Sequence, residues 1–187
     1  MKVLKIILYV IVSLVIITAM IYANYNGFSN VSIQIKQEGG EYLLYREVTG
    51  PYSETGVALS KIKYDLKSKF KIEPNRDFGI YFDNPQNVEK SKLRSEVGCI
   101  LENVDTLHLF WLKSKFNFKA LPLKKYITAE FPFKGKMSIM IGIMKVYPAL
   151  NNYIKANGYS EEGPIMEIYN LPNNKIRYLK EAIKVAQ

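Results

Sequence analysis

A carboxylate, Glu167, and a phenol, Tyr169, stand in the otherwise apolar run Pro164–Tyr169. A carboxylate carried into apolar surroundings is costly unless something partners it. Such a residue therefore calls for a hydrogen-bonding tyrosine beside it, or for a ligand whose cationic or polar group it meets. Tyr81, Tyr147 and Glu130 are the further candidate contacts. Tyrosine faces suit the stacking of a flat or amphipathic molecule, and carboxylates suit its cation. The same Glu167 has the chemistry of a general base that activates water. No second acid, metal cluster or Ser-His-Asp arrangement supports that use, and Glu47 and Glu130 are the symmetric carboxylates that remain for it. A satisfied strand glutamate is the plainest alternative.

Other chemistries are closed off by composition. The 187 residues hold one cysteine, Cys99, and one histidine, His108. That pair cannot make an intramolecular disulfide and cannot by itself hold a structural zinc. Cys99 lies in Val97–Leu101 and reads as a buried strand thiol, and His108, near Phe110 and Trp111, as a loop or packing residue. No cofactor is expected. The net charge of +9 favours anionic surfaces, but the basic residues are scattered like a solvated face. With no recognition helix or zinc finger, no nucleic-acid partner is expected.

The elements that position Glu167 are written twice. Gly79-Ile80-Tyr81-Phe82-Asp83-Asn84-Pro85 returns as Glu167-Ile168-Tyr169-Asn170-Leu171-Pro172, with Glu167 where the first copy has Gly79. The first unit reads as a strand over 42–49, a helix over 54–70 with Ala58, Leu59, Ile62, Leu66 and Phe70 on one stripe, and strands over 78–82 and 96–101. The second reads as a strand over 126–131, a helix over 137–156 and strands over 164–169 and 176–185. Ile139, Met140, Ile143, Met144, Tyr147, Leu150 and Ile154 form the inner face of that helix, Pro148 kinks or breaks it, and Gly158 caps it. The connection 103–125, rich in Phe and Trp, reads as a packed loop or an extra helix. Two such βαββ units make an α+β domain with pseudo-twofold symmetry and a cleft between the copies, charged on one side only.

Before the first unit, Ile6 to Ala23 is apolar apart from Ser13, Thr18 and the tyrosines. As a helix it spans roughly 27 Å, close to the hydrocarbon thickness of a bilayer. Ile21-Tyr22-Ala23 makes a poor cleavage site, so the segment reads as an uncleaved anchor. The expected organisation is a transmembrane anchor over 1–25, a juxtamembrane linker over 26–40 with a short alternating strand at 31–35, and a ligand-binding domain over 41–187. Lys2 and Lys5 precede the helix while Lys36 is the first base after it, which places the N-terminus in the cytoplasm and the domain outside.

The blocks Tyr52-Ser53-Glu54-Thr55-Gly56, Tyr81-Phe82-Asp83-Asn84-Pro85, Arg94 to Leu101, Thr128-Ala129-Glu130-Phe131-Pro132, Tyr147 to Lys155 and Glu167-Ile168-Tyr169 resemble, in this order, the gyrase-inhibitor-like (GyrI-like) small-molecule-binding domain family. The resemblance implies a duplicated βαββ fold whose cleft takes amphipathic, often cationic, small molecules between aromatic walls. It also implies that Glu167 is the central glutamate and Tyr169 its tyrosine. A sensor or receptor is implied rather than an enzyme, although some family members hydrolyse electrophilic compounds. A scaffold recruiting a protein partner at the membrane is the other reading. A single-pass member with a cytosolic domain gives the opposite topology to the lysine bias. The compact loops and abundant Lys, Asn and Ile resemble a bacterial member.

Overall fold

The computed structural model describes residues 2–102 and 106–185. Helix α1 (Lys2–Asn24) is followed by strand β1 (Ile33–Glu38), β2 (Tyr42–Thr49), helix α2 (Thr55–Asp65), β3 (Arg76–Tyr81) and β4 (Arg94–Leu101). Helix α3 (Thr106–Lys113), β5 (Asn117–Ala120), β6 (Lys124–Pro132), helix α4 (Lys136–Ala156), β7 (Ile165–Asn170) and β8 (Lys175–Glu181) complete the order. The eight strands form one antiparallel sheet, β1-β6-β8-β7-β3-β4-β2-β5. The expected units are visible in it: β2-α2-β3-β4 and β6-α4-β7-β8 contribute mirrored triplets, with β3 and β7 paired at the centre. Both helices lie on one face, α2 over β2 and β4, α4 over β6 and β8.

Two short linkers force the sheet to curl. β1 and β2 stand six strand spacings apart, about 29 Å in a flat sheet at ~4.8 Å each. They are joined by residues 39–41 alone, a reach of no more than about 14 Å. The β5–β6 linker, residues 121–123, makes the same demand from the other edge. The two linkers cross: the Gly40 amide donates to the Leu121 carbonyl and the Leu121 amide to the Glu41 carbonyl, both at 2.8 Å. Gly39 is required there, since its φ is +119° and a Cβ would fall 2.2 Å from the Pro122 carbonyl oxygen. Curling explains how the helix-free face is buried. Leu43, Phe78, Ile80, Ile100, Tyr126, Met166, Ile168 and Leu179 fill its concave side. A second cluster joins α4 to Ile127, Phe131, Ile176 and Tyr178, and a third joins α2 to Leu44, Val97, Cys99 and Phe116.

Several expectations change in detail. Residues 26–40 are not simply a linker, because β1 within them pairs along six residues of β6, Ile33 opposite Ala129 through Glu38 opposite Lys124. The 54–70 helix starts with a tight turn at Tyr52–Glu54 and ends in a wide, π-type turn, Leu66–Phe70, closed by left-handed Lys71. α4 runs through Pro148 unbroken. The carbonyl that Pro148 frees belongs to Met144, and both residues lie on the exposed side of the helix. Gly158 takes the left-handed cap, with φ +65°. The 103–125 connection supplies both a helix, α3, and a strand, β5. His108 falls in α3, and its side-chain surroundings lie outside the described residues.

The inner face of α4 is shifted from its expected phase. The buried ridge is Ser138, Gly142, Val146, Leu150 and Ile154 at strict four-residue spacing, with Ile141 beside it. Met140, Ile143 and Met144 are exposed. The first half of this helix is apolar nearly all round, so periodicity leaves its phase open. Small Ser138 and Gly142 decide it, because they let the helix close on the sheet: a Cβ on Gly142 would meet the Tyr178 hydroxyl at 2.4 Å.

Candidate functional site: a glutamate in a tyrosine cage

Antiparallel pairing sets Gly79 of β3 directly opposite Glu167 of β7. These are the equivalent residues of the two copies, so the pseudo-twofold axis passes between them. Space on the axis is shared. Tyr81 folds back over its own strand, and a Cβ on Gly79 would lie 2.8 Å from its hydroxyl. The first copy is empty at the position where the second carries its acid.

Glu167 points to the helix-bearing face, into the gap between α2 and α4, and is 1% exposed. Tyr147, from α4, donates its hydroxyl to Oε1 at 2.8 Å. Tyr169, two residues along β7, donates to Oε2. Tyr178 of β8 lies directly across from Glu167 in register. Its hydroxyl is fully buried and has no hydrogen-bond partner among the described residues. Aromatic edges tie the cage together: Tyr147 with Tyr178 (centroids 6.0 Å), Tyr52 with Tyr81 (4.8 Å) and Phe133 with Tyr169 (6.1 Å).

Burial dominates the electrostatics. It raises the Glu167 carboxyl above its usual range, and the Tyr169 and Tyr147 hydroxyls pull it part of the way back. Tyr147 and Tyr169 are held well above an ordinary phenol by burial and by the facing carboxylate. Tyr81 is pushed up to about 12, first by burial and then by Glu167. Tyr178 moves the same way for the same reasons. All four phenols therefore stay protonated, and the carboxylate is surrounded by neutral donors and ring faces. Among the described residues, no lysine or arginine forms an ion pair with Glu167. No hydroxyl in the cage is ionised to act as a nucleophile.

Of the candidates read from sequence, Glu167, Tyr169 and Tyr147 meet, and Tyr81 borders them. Glu130 does not. It lies on the opposite face of β6 from Ala129 and Phe131, its side chain 41% exposed, with Lys175 at 2.8 Å and Lys36 at 3.9 Å. Strand alternation separates it from the cage, and the two lysines hold its carboxyl below the usual range. Tyr178 is the member that sequence reasoning missed. The turn at Leu171–Asn174 fixes a hairpin in which Glu167 and Tyr178 oppose one another, so the signal was present. Lys180, also missed, is buried at the mouth of the β7 hairpin and donates to the carbonyls of Glu161, Glu162 and Gly163, at 2.9 Å, 2.5 Å and 2.5 Å. A surface hollow of about 460 Å³ lined by Tyr64, Lys67, Ser68, Lys71 and Glu73 shares no residue with the cage.

Fold and sequence agree on the class: the chain belongs to the GyrI-like small molecule binding domain family, whose model matches residues 32–180. It is 31% identical over 166 residues to human testis-expressed protein 264, covering 83% of this chain and 50% of that one. With the mouse homolog it is 32% identical over 142 residues, covering 72% and 43%. The chain thus spans about half the length of these curated relatives. Among solved structures, the fold is similar to the EcmrR C-terminal domain (TM-score 0.56, 12% identity, 83% of this chain and 99% of that one). It is also similar to SAV2435 bound to tetraphenylphosphonium (TM-score 0.54, 11% identity, 82% and 94%).

Proposed function

We propose that this chain is a membrane-anchored binding protein, a sensor or receptor rather than an enzyme, that takes an amphipathic cation into the Glu167 cage between its two repeats. The observation that carries the reading is a buried carboxylate that, among the described residues, is satisfied only by phenols, beside a Tyr178 hydroxyl with no partner among them. Burial penalises that charge, and a cation entering the cage removes the penalty while ring faces take up its apolar body. SAV2435, of the same fold, holds such a cation. Both oxygens of Glu167 are engaged by tyrosines, which argues against its use as a base on water. Residues 1–25 form the anchor in this reading: α1 has a mean hydropathy of 2.7 over its best 18-residue window and buries none of it in the domain.

The test is titration calorimetry of the full chain in lipid nanodiscs with tetraphenylphosphonium and smaller amphipathic cations. Glu167→Gln is expected to weaken binding by about tenfold or more, the effect of losing one buried charge partner. Heat of binding that is identical in the variant, or absent for every cation in the wild type, would sink the reading.

A second reading has its own observation. Phe110 and Trp111 on α3 are 70% and 57% exposed and pack edge to face at 5.8 Å. Such a paired aromatic surface suits a protein partner at the membrane. Trp111→Ala should then abolish recruitment and leave cation binding intact.

A further inference from the structure

The first three turns of α4 carry an apolar row that the described residues leave largely uncovered. Met137, Met140, Ile143 and Met144 are between 40% and 64% exposed. Single exposed apolar side chains are ordinary, but four on neighbouring turns of one helix make a patch.

The position of this row relative to α1 is fixed by named contacts. Lys134, just before α4, donates to the Asn24 carbonyl at 2.5 Å, the last residue of α1. Lys145, two and a half turns into α4, donates to the carbonyls of Gly27 and Ser29 in the turn that leaves α1. Tyr22 and Tyr25 of the same region pack on the α4 cluster. The stretch 134–145 thus lies within a lysine's reach of the end of α1. With α1 in the hydrocarbon, that end lies in a headgroup layer about 5–7 Å thick. Phe28, 69% exposed, shares this level. An apolar row flanked by Lys134, Lys136 and Lys145 at this depth has the composition of a helix that lies in an anionic membrane surface.

We propose that the first half of α4 is an interfacial helix. Met137, Met140, Ile143 and Met144 enter the boundary between headgroups and acyl chains, and dock the domain against the bilayer that α1 spans. The inference rests on the reading of α1 as an anchor. The occupant is the lipid surface itself.

The experiment uses the full chain in vesicles of zwitterionic and anionic lipid. Trp111 is the single tryptophan, so Trp111→Phe provides a silent background. Met140→Trp and, separately, Met144→Trp then report the row, and Val57→Trp on α2 serves as the solvent-facing control. Brominated acyl chains should quench the tryptophan at 140 and at 144 by about twofold or more, and leave the one at 57 unchanged. Flotation separates the two ways to fail. Protein that does not float with the vesicles removes the anchor and the docking together. Protein that floats, with the α4 reporters as unquenched as the control, removes the docking alone. Shielding of those reporters from aqueous iodide without quenching by lipid would give the row to a protein partner and overturn the proposal.

Discussion

The two repeats share a scaffold and treat a buried acid in opposite ways. In the first, Asp77 of β3 is buried and receives Lys63 from α2 at 2.7 Å, while Asp65 on the helix meets Arg46 at 3.2 Å and Lys69 at 2.7 Å. In the second, Glu167 of β7 receives, among the described residues, only the hydroxyls of Tyr147 and Tyr169. An acid matched by a cation is closed as a binding site, because the pair is complete within the fold. An acid matched by neutral donors is solvated enough to persist and still lacks a counter-charge. The difference separates a structural acid from one suited to recognition, on nearly identical backbones.

Gly79→Glu tests the comparison most severely, since it restores the symmetry by placing a second carboxylate across the axis. The new Cβ collides with Tyr81, and two acids then face one another without a cation. We expect a loss of about 3–5 kcal/mol in denaturant unfolding, of the size seen when a buried charge is left uncompensated. Lys63→Met comes next. It removes the cation from the first repeat, leaves Asp77 buried and single, and should cost about 2–3 kcal/mol, since Lys63 is itself partly exposed. Adding Asp77→Asn should recover much of that loss in a double-mutant cycle.

The smallest effect has the opposite sign. Glu167 is protonated more readily in the folded chain than in the unfolded one, so above pH 4.5, the ordinary value of the side chain, the folded state retains more protons than the unfolded state. Wild-type stability is therefore full below 4.5 and falls as pH rises through the raised native value. Glu167→Gln should remove that fall and be more stable than wild type at pH 7. Parallel pH–stability curves for the two proteins would show that Glu167 carries no burial penalty, and the contrast between the repeats would lose its basis.

Much of this arrangement was legible in the sequence. The repeated Gly-Ile-Tyr and Glu-Ile-Tyr segments gave two equivalent strands and the asymmetric acid, and the cost of burying that acid called for a tyrosine neighbour or a ligand. What escaped follows from two limits of periodic reading. Alternation along a strand assigns faces only when the register of that strand is known, so Glu130 was grouped with Glu167 though it lies on the far side of the sheet. A helix apolar on all sides does not announce which side is inward, and in α4 the deciding residues were the small ones, Ser138 and Gly142. The pairing of β1 with β6 escaped because of the first limit as well: nothing in a six-residue alternating stretch fixes its register or names a partner so distant in the chain.

That distance sets a timetable. The partners of β1 lie 86 to 96 residues further on, from Glu38 with Lys124 to Ile33 with Ala129. At a synthesis rate of about 5–20 residues per second, roughly 5–20 s pass between the making of β1 and the making of the strand that receives it. Throughout that interval Ile33 and Ile35 wait beside the end of α1 with no ladder to join. The strand nearest α1 is thus the first of the sheet to be made, and its ladder cannot form until a strand 86 to 96 residues later has been made.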